Sequence, residues 1–99
     1  MKIIEKMIDC LHEEVEGAME YAEKYIENKA RNNINRANKY KEMATDELKH
    51  AGYLREMDIM DIDEMKKVYT LTEEEETAWE HGHKHINEKM AMVHHMLSM

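Results

Sequence analysis

Residues 2–30 read KIIEKMIDCLHEEVEGAMEYAEKYIENKA, and the apolar side chains of this stretch recur in steps of three and four residues. The apolar stripe consists of Ile4, Met7, Ile8, Leu11, Val15, Ala18, Ala22 and Tyr25. This spacing predicts one long amphipathic helix with a face turned towards a core. Each residue turns a helix by about 100°, so Glu14 falls at the edge of the stripe, whereas Glu16 and Glu20 fall on the opposite side. We therefore expect Glu14 to be the inward-facing carboxylate of this helix.

A second amphipathic helix is predicted after a short turn. A cluster of asparagines after Arg31 favours a turn, so we expect the first helix to end near Arg31 and the second to begin near Asn35. The predicted inner face of the second helix holds Tyr40, Met43, Ala44, Glu47, His50, Ala51 and Leu54. A core helix ordinarily has Leu or Ile where Glu47 stands, because a buried carboxylate is costly unless it is paired, protonated or bound to a metal. Glu47 and His50 are three residues apart on this face and could bind one metal ion together.

The end of the second helix is ambiguous in the acidic stretch from Asp58 to Glu64. The helix is predicted to reach at least Met57. Asp61 and Glu64 then fit a capping box that would begin a short new helix, although an unbroken helix also fits these residues. We expect a break or a kink in this stretch.

A last helix is predicted from Thr72 to about Leu97. Thr72 and Glu75 fit a capping box, and the glutamates that follow Thr72 lie where the helix dipole favours negative charge. The apolar face of this helix holds Trp79, His83, Ile86, Met90, Val93 and Leu97. His83 could be a metal ligand, although a core histidine with a hydrogen-bonded neighbour is the commoner arrangement.

The composition predicts one small all-α domain that comprises residues 1–99. The chain has no proline, no phenylalanine and three glycines. Its net charge of −8 argues against nucleic-acid and anionic-membrane partners. Because no apolar run resembles a membrane span or a signal peptide, we expect a cytoplasmic protein. Cys10 is the single cysteine, and we expect it to be a small, partly buried packing residue.

The long apolar stripes predict self-association. A chain below ~100 residues has a marginal core, and one further helix would cover the two stripes only in part. A two-fold axis would cover them with a second copy of the same surface, so we expect a homodimer or a higher even-numbered oligomer. Glu14, Glu47 and His50 of both chains would then converge. Their carboxylate and imidazole donors suit Fe(II), Mn(II) or, less selectively, Zn(II).

A motif in the first half of the chain resembles half of the ligand set of the ferritin-like superfamily, which includes ferritins and rubrerythrins. It comprises Glu14, Tyr21 and the sequence DELKH at residues 46–50. In that superfamily a di-iron centre takes a Glu from each of two helices and a Glu-x-x-His from each of two others. The chain is similar to the half-length, dimer-forming type such as the encapsulated ferritins. The resemblance implies an antiparallel hairpin plus a C-terminal helix that dimerises into a four-helix bundle, an iron cofactor held by Glu14, Glu47 and His50, and Tyr21 beside the ligands.

Two main classes of function fit these features. The first is a di-metal carboxylate protein, with iron or alternatively Mn or Zn, that binds Fe(II) and could oxidise it. The second is a non-catalytic oligomerisation or interaction module on a ferritin-like framework, with its Glu and His residues in a buried hydrogen-bonded network. A third possibility is a soft-metal site on the last helix: His81 and His85 could hold Zn, Ni or Cu, and methionines beside His94 and His95 could favour Cu(I). Solvated histidines and methionine core residues are the commoner roles.

Overall fold

The computed structural model describes residues 2–99, which form three α-helices and no strand. The helices are α1 (Lys2–Ala30), α2 (Ile34–Val68) and α3 (Glu73–Leu97). The all-helical prediction is confirmed, and the first turn lies within one residue of the predicted place. Asn32 adopts a left-handed conformation with a φ of 62°, which reverses the chain between α1 and α2. Within residues 2–99 no helix is long and apolar enough to cross a membrane.

α1 and α2 form an antiparallel hairpin. Glu14 lies beside His50, and Gly17 lies beside Glu47. Further towards the turn, Tyr21 of α1 stacks on a tyrosine of α2. The contacts on α2 move towards its N-terminus as those on α1 move towards the C-terminus, which fixes the antiparallel register of the two helices.

α2 continues without interruption through the acidic stretch 58–64, so the predicted break is wrong. The physical reason is the packing of Ile62, which is buried in this stretch. Ile62 joins Ile4 of α1 and Leu71 of the following connection in a small apolar cluster at this end of the molecule. Burial of Ile62 favours helical continuity over the local capping signal.

α3 begins at the predicted capping box and runs to Leu97, as expected. The backbone N–H of Glu75 donates to the Thr72 hydroxyl at 3.1 Å, and the backbone N–H of Thr72 donates to the Glu75 carboxylate at 3.0 Å. This second hydrogen bond holds the pKa of Glu75 below its usual range. Two backbone donors at the helix start are thereby satisfied.

α3 runs parallel to α1 and packs along its flank. Ile8 of α1 lies against Gly82 of α3, and His12, one turn later, lies against His85. The main core draws on all three helices and contains Leu11, Val15, Ala18, Ala22, Tyr25, Ala37, Ala44, Leu48, Ala51, Ile86, Met90, Val93 and Leu97. The stripes predicted for α1 and α3 agree with this core.

The buried face of α2 is rotated from the predicted face. Leu48 and Ala37, which the predicted stripe omits, are buried, whereas Met43 and His50 are exposed and Glu47 is half-buried. The prediction assumed that the ligand-bearing face and the core face coincide. They do not coincide, because α3 packs on the hairpin on the Leu48 side and leaves the Glu47 side at the outer surface.

Gly82 permits the close approach of α3 to α1, and this can be tested by substitution. A Cβ at position 82 would lie 2.6, 2.8 and 2.9 Å from three side-chain carbons of Ile8. Because both branches of Ile8 are involved, the whole side chain or the helix would have to move. We expect Gly82→Ala to lower the free energy of unfolding by about 1–3 kcal/mol, as measured by denaturant titration.

Gly52 of α2 provides the matched control. Among the described residues, no atom lies within 4 Å of the position that its Cβ would occupy. Gly52→Ala should therefore raise the free energy of unfolding by up to about 1 kcal/mol, the difference in helix propensity between the two residues. An equal gain at both glycines would show that α3 does not depend on close packing at Gly82.

Candidate metal centre

Glu14, Glu47 and His50 form a cluster of potential metal ligands on the outer side of the hairpin. Each offers one ligand atom, and these atoms all lie within 4.8 Å of one another. Glu14 Oε2 is 4.0 Å from His50 Nδ1. These are the three residues that the sequence singles out, and the structure brings them together from two helices. That they bind a metal stays a prediction.

Helix geometry and the hairpin register account for this arrangement. Glu47 and His50 share a face of α2 because they are three residues apart. Glu14 meets them from α1 because the antiparallel register places it opposite His50. Gly17, three residues after Glu14, lies against the second carboxylate: a Cβ at this position would be 3.6 Å from Glu47 Oε2. Gly17 therefore faces the Glu47 carboxylate across the contact between α1 and α2.

The two carboxylates perturb one another. A hydrogen bond between the Glu14 and Glu47 side chains is the main reason that the pKa of Glu47 is raised, and burial and the negative charge of Glu14 add to it. The charge of His50 acts in the opposite direction. Two carboxylates at this separation resist simultaneous ionisation, so a proton or a metal cation between them stabilises the pair.

The donor set of the cluster fits a divalent metal ion. Glu14 Oε2 is buried and accepts no hydrogen bond from residues 2–99. A buried carboxylate oxygen without a partner is costly, and a cation is a partner that would compensate it. Two carboxylates and one imidazole suit Fe(II), Mn(II) or Zn(II). Three protein ligands also leave coordination positions for a second chain, water or a substrate.

The surroundings of the cluster correct one expectation. Cys10, one turn before Glu14, is exposed, so the expectation of a partly buried packing residue is wrong. The reason is that Cys10 lies on the ligand-bearing side of α1, away from α3. Tyr21 is half-buried and stacks on Tyr40 with ring centroids 6.3 Å apart. Its expected place beside the ligands stays a prediction.

The histidines of α3 lie apart from this cluster. His83 stacks on Trp79 with ring centroids 4.9 Å apart, and its Nε2 is buried without a hydrogen-bond partner in the described part of the chain. This differs from the hydrogen-bonded core histidine that is commonly found. Burial lowers the pKa of His83, and the charge of Arg55 lowers it further. The remaining histidines of this helix, at positions 81, 85, 94 and 95, are exposed.

One perturbed carboxyl group, Asp58, has no place in the predicted sites. Burial and the charge of Asp61 raise the pKa of Asp58 to about 6. Asp58 is half-buried because it continues the inner face of α2 between Leu48 and Ile62. Nearby on this face, Arg55 donates a hydrogen bond to Asn87 Oδ1 of α3 at 2.7 Å. A sequence prediction with the correct rotation of α2 would have placed Asp58 on the inner face of this helix.

Comparison with protein-family models, with curated proteins and with solved structures finds no match for this chain. A ferritin-like relationship therefore stays a prediction from the residue motif.

In metal-free protein, we expect Glu47→Gln to raise the melting temperature at pH 7 to 8. Since the folded-state pKa of Glu47 is raised, the unfolded chain releases this proton at lower pH than the folded protein does. The stabilising contribution is present below the normal glutamate pKa and is lost as the pH rises through the folded-state value. Glutamine cannot ionise, so the Glu47→Gln variant does not lose stability in this way as the pH rises. The measurement is thermal unfolding between pH 4 and 8 in the presence of a chelator.

Glu20→Gln is the control, since Glu20 is an exposed carboxylate on the same helix as Glu14. It should leave the pH profile of the melting temperature unchanged. A Glu47→Gln variant that melts below the parent protein across this range would mean that the ionised carboxylate is a structural partner of its neighbours.

Proposed function

We propose that this protein is a ferritin-like di-metal carboxylate protein that binds and oxidises Fe(II) at a site completed by a second copy of the chain. The observation that carries the proposal is the convergence of Glu14, Glu47 and His50, with ligand atoms within 4.8 Å, around a buried carboxylate oxygen. The exposed Cys10 is compatible with a reducing compartment such as the cytoplasm.

The surface around the ligands supports a second chain as partner. Ile3, Met43 and Met57 are 48%, 39% and 58% exposed, and each lies at helical spacing from a ligand on its own helix. Apolar side chains thus flank the ligands towards both ends of the hairpin. The molecule is a rod of 54 × 19 × 18 Å, and α3 occupies only the Leu48 side of α2. The same face of a second copy, related by a two-fold axis, would cover these side chains.

A dimer of this kind would complete the ligand set. Two hairpins pack as four helices, and each chain contributes Glu14 from α1 together with Glu47 and His50 from α2. The four carboxylates can bridge or bind two ions, and the two imidazoles serve as terminal donors. A pair of ferrous ions held there would supply the electrons for the reduction of dioxygen or peroxide.

Residues of the chain itself would position the ligands. The ligand atoms of Glu14, Glu47 and His50 already lie within 4.8 Å of one another before an ion enters. The stacked Tyr21 and Tyr40 cover the hairpin between the ligands and the turn.

An interaction module without metal chemistry is the second candidate. It is favoured by the same hydrogen bond between Glu14 and Glu47, because a proton shared by two carboxylates is a self-sufficient arrangement. In this alternative the hairpin face would still associate with a second chain, but removal of metal would leave stability unchanged.

We expect Glu47→Ala and His50→Ala each to weaken Fe(II) binding at least tenfold, because each removes a ligand from a small donor set. The measurement is an anaerobic Fe(II) titration of the parent protein, in which one tightly bound ion per chain is expected. Oxygen consumption after admission of air then reports oxidation. Glu20→Ala, which removes an exposed carboxylate of α1, is the control and should bind as the parent does. Equal weakening in all three variants would indicate diffuse attraction of cations to an acidic surface.

We expect the unaltered chain to be dimeric at micromolar concentration, and Met57→Lys to raise the dimer dissociation constant at least tenfold without loss of helix. A lysine ammonium at the centre of an apolar interface is costly to desolvate. Met92→Lys is the matched control, since Met92 is 55% exposed on α3. Sedimentation equilibrium and circular dichroism provide the two readouts. A well-folded monomer of the parent protein would contradict the two-chain site.

A further inference from the structure

Three side chains of types that bind metals are neighbours on the seam between α1 and α3. The rings of His12 and His85 stack across this seam with centroids 6.2 Å apart and planes inclined by 22°. Glu16, one turn after His12, places its Oε1 3.4 Å from His12 Nε2. Two imidazoles and one carboxylate from two helices are thus neighbours, although their ligand atoms do not all lie within 4.8 Å of one another, as those of Glu14, Glu47 and His50 do.

This seam is separate from the proposed di-metal site. Glu14 and Glu16 are two residues apart, and two residues turn a helix by about 200°. Their side chains therefore leave α1 on opposite sides. Glu14 points to the outer face of the hairpin, and Glu16 points to α3.

The seam cluster is accessible and is not required for the core. The side chains of His12 and Glu16 are 43% and 40% exposed, and His85 is exposed as well. None of the three belongs to the apolar core cluster, which in α3 consists of Ile86 and the residues that follow it at helical spacing. Exposed imidazoles on helices can turn about their side-chain bonds, so the stacked rings are free to direct a nitrogen atom each towards a common point.

The seam already holds a cation. Lys89, one turn after His85, donates a hydrogen bond from its ammonium group to Glu16 Oε1. This hydrogen bond is the main reason that the pKa of Glu16 lies below its usual range, and the charges of Lys89 and of the two histidines act in the same direction. Glu16 therefore already serves as the partner of one cationic group at the seam.

We propose that His12, Glu16 and His85 bind one divalent transition-metal ion of borderline softness, such as Zn(II), Ni(II) or Cu(II), with water in the remaining position. Two histidines and one glutamate are a donor set that holds zinc with an open coordination position. The His12 and Glu16 pair supplies two ligands from one helix at a spacing of four residues. The ion displaces the Lys89 ammonium group from Glu16, and it links α3 to α1 beside the close contact at Gly82. It therefore stabilises the docked position of α3.

The test is a Zn(II) titration of the full chain in competition with a chromogenic chelator. We expect His12→Gln and His85→Gln each to weaken the seam site at least tenfold, and Glu16→Gln to weaken it by a smaller factor. Lys89→Met should tighten it severalfold, because it frees Glu16 while keeping the aliphatic stem. If the seam were only structural, there would be no reason for Lys89→Met to tighten zinc binding while the other variants weaken it.

Two controls separate this site from other binding. His95→Gln removes an exposed histidine of α3 away from the seam and should leave the affinity unchanged. Glu47→Gln should abolish ion binding only at the hairpin, so the two proposals fail independently. Electron paramagnetic resonance of the Cu(II)-loaded protein should show coupling to two imidazole nitrogens, and to one in the His85→Gln variant. Unchanged Zn(II) affinity in His12→Gln and His85→Gln, or an equal loss in His95→Gln, would overturn the proposal.

Discussion

The close packing of α1 against α2 is the contact on which the rest of the structure depends. The buried side chains of these two helices include five alanines: Ala18, Ala22, Ala37, Ala44 and Ala51. Such small side chains allow two helices to approach to the short end of the usual interaxial range of ~8–10 Å. The short distance lets a glutamate on one helix reach a histidine on the other. Larger side chains between α1 and α2 would move Glu14 away from His50 and disrupt the cluster of Glu14, Glu47 and His50.

α1 serves as the common wall of two chemically distinct surfaces. On one side of α1, Glu14 faces Glu47 and His50. On the other side, Glu16 faces His85 and Lys89. α3 covers only the Glu16 side of α1. The consequence is a division of roles: the hairpin face is left open to a second chain, whereas the α3 seam joins two helices of the same chain.

The carboxylates of the hairpin face are a cost to the isolated chain. The interaction with the Glu14 side chain is the main reason that the pKa of Glu47 is raised, and burial and the negative charge of Glu14 add to it. Glu14 Oε2 has no hydrogen-bond partner among the described residues. A fold selected for stability alone would place apolar side chains at these positions. Our proposal accounts for the cost, since a bound ion converts the repulsion into attraction and stabilises only the folded, assembled protein. Metal binding and dimerisation are coupled in this scheme, because the same face serves both.

The sequence alone determined the features that depend on residues within about one helical turn of each other. The apolar period predicted α1, the capping box at Thr72 predicted the start of α3, and the spacing of Glu47 and His50 predicted a shared ligand face. Glu14 was identified in the same way, from its place at the edge of an apolar stripe. These signals are local because helix hydrogen bonds and capping contacts join residues three or four positions apart.

Only the tertiary structure decided the features that depend on distant residues. The docking of α3 selected Leu48 rather than Glu47 as the centre of the buried face of α2, and it left Cys10 exposed. Packing of Ile62 against Ile4 carried α2 through a stretch whose local sequence is ambiguous between a helix start and an unbroken helix. The meeting of His12 with His85 joins positions on two helices that no local pattern relates. Burial is a property of which helices meet and at what rotation, and the helical period of a single segment does not contain that information.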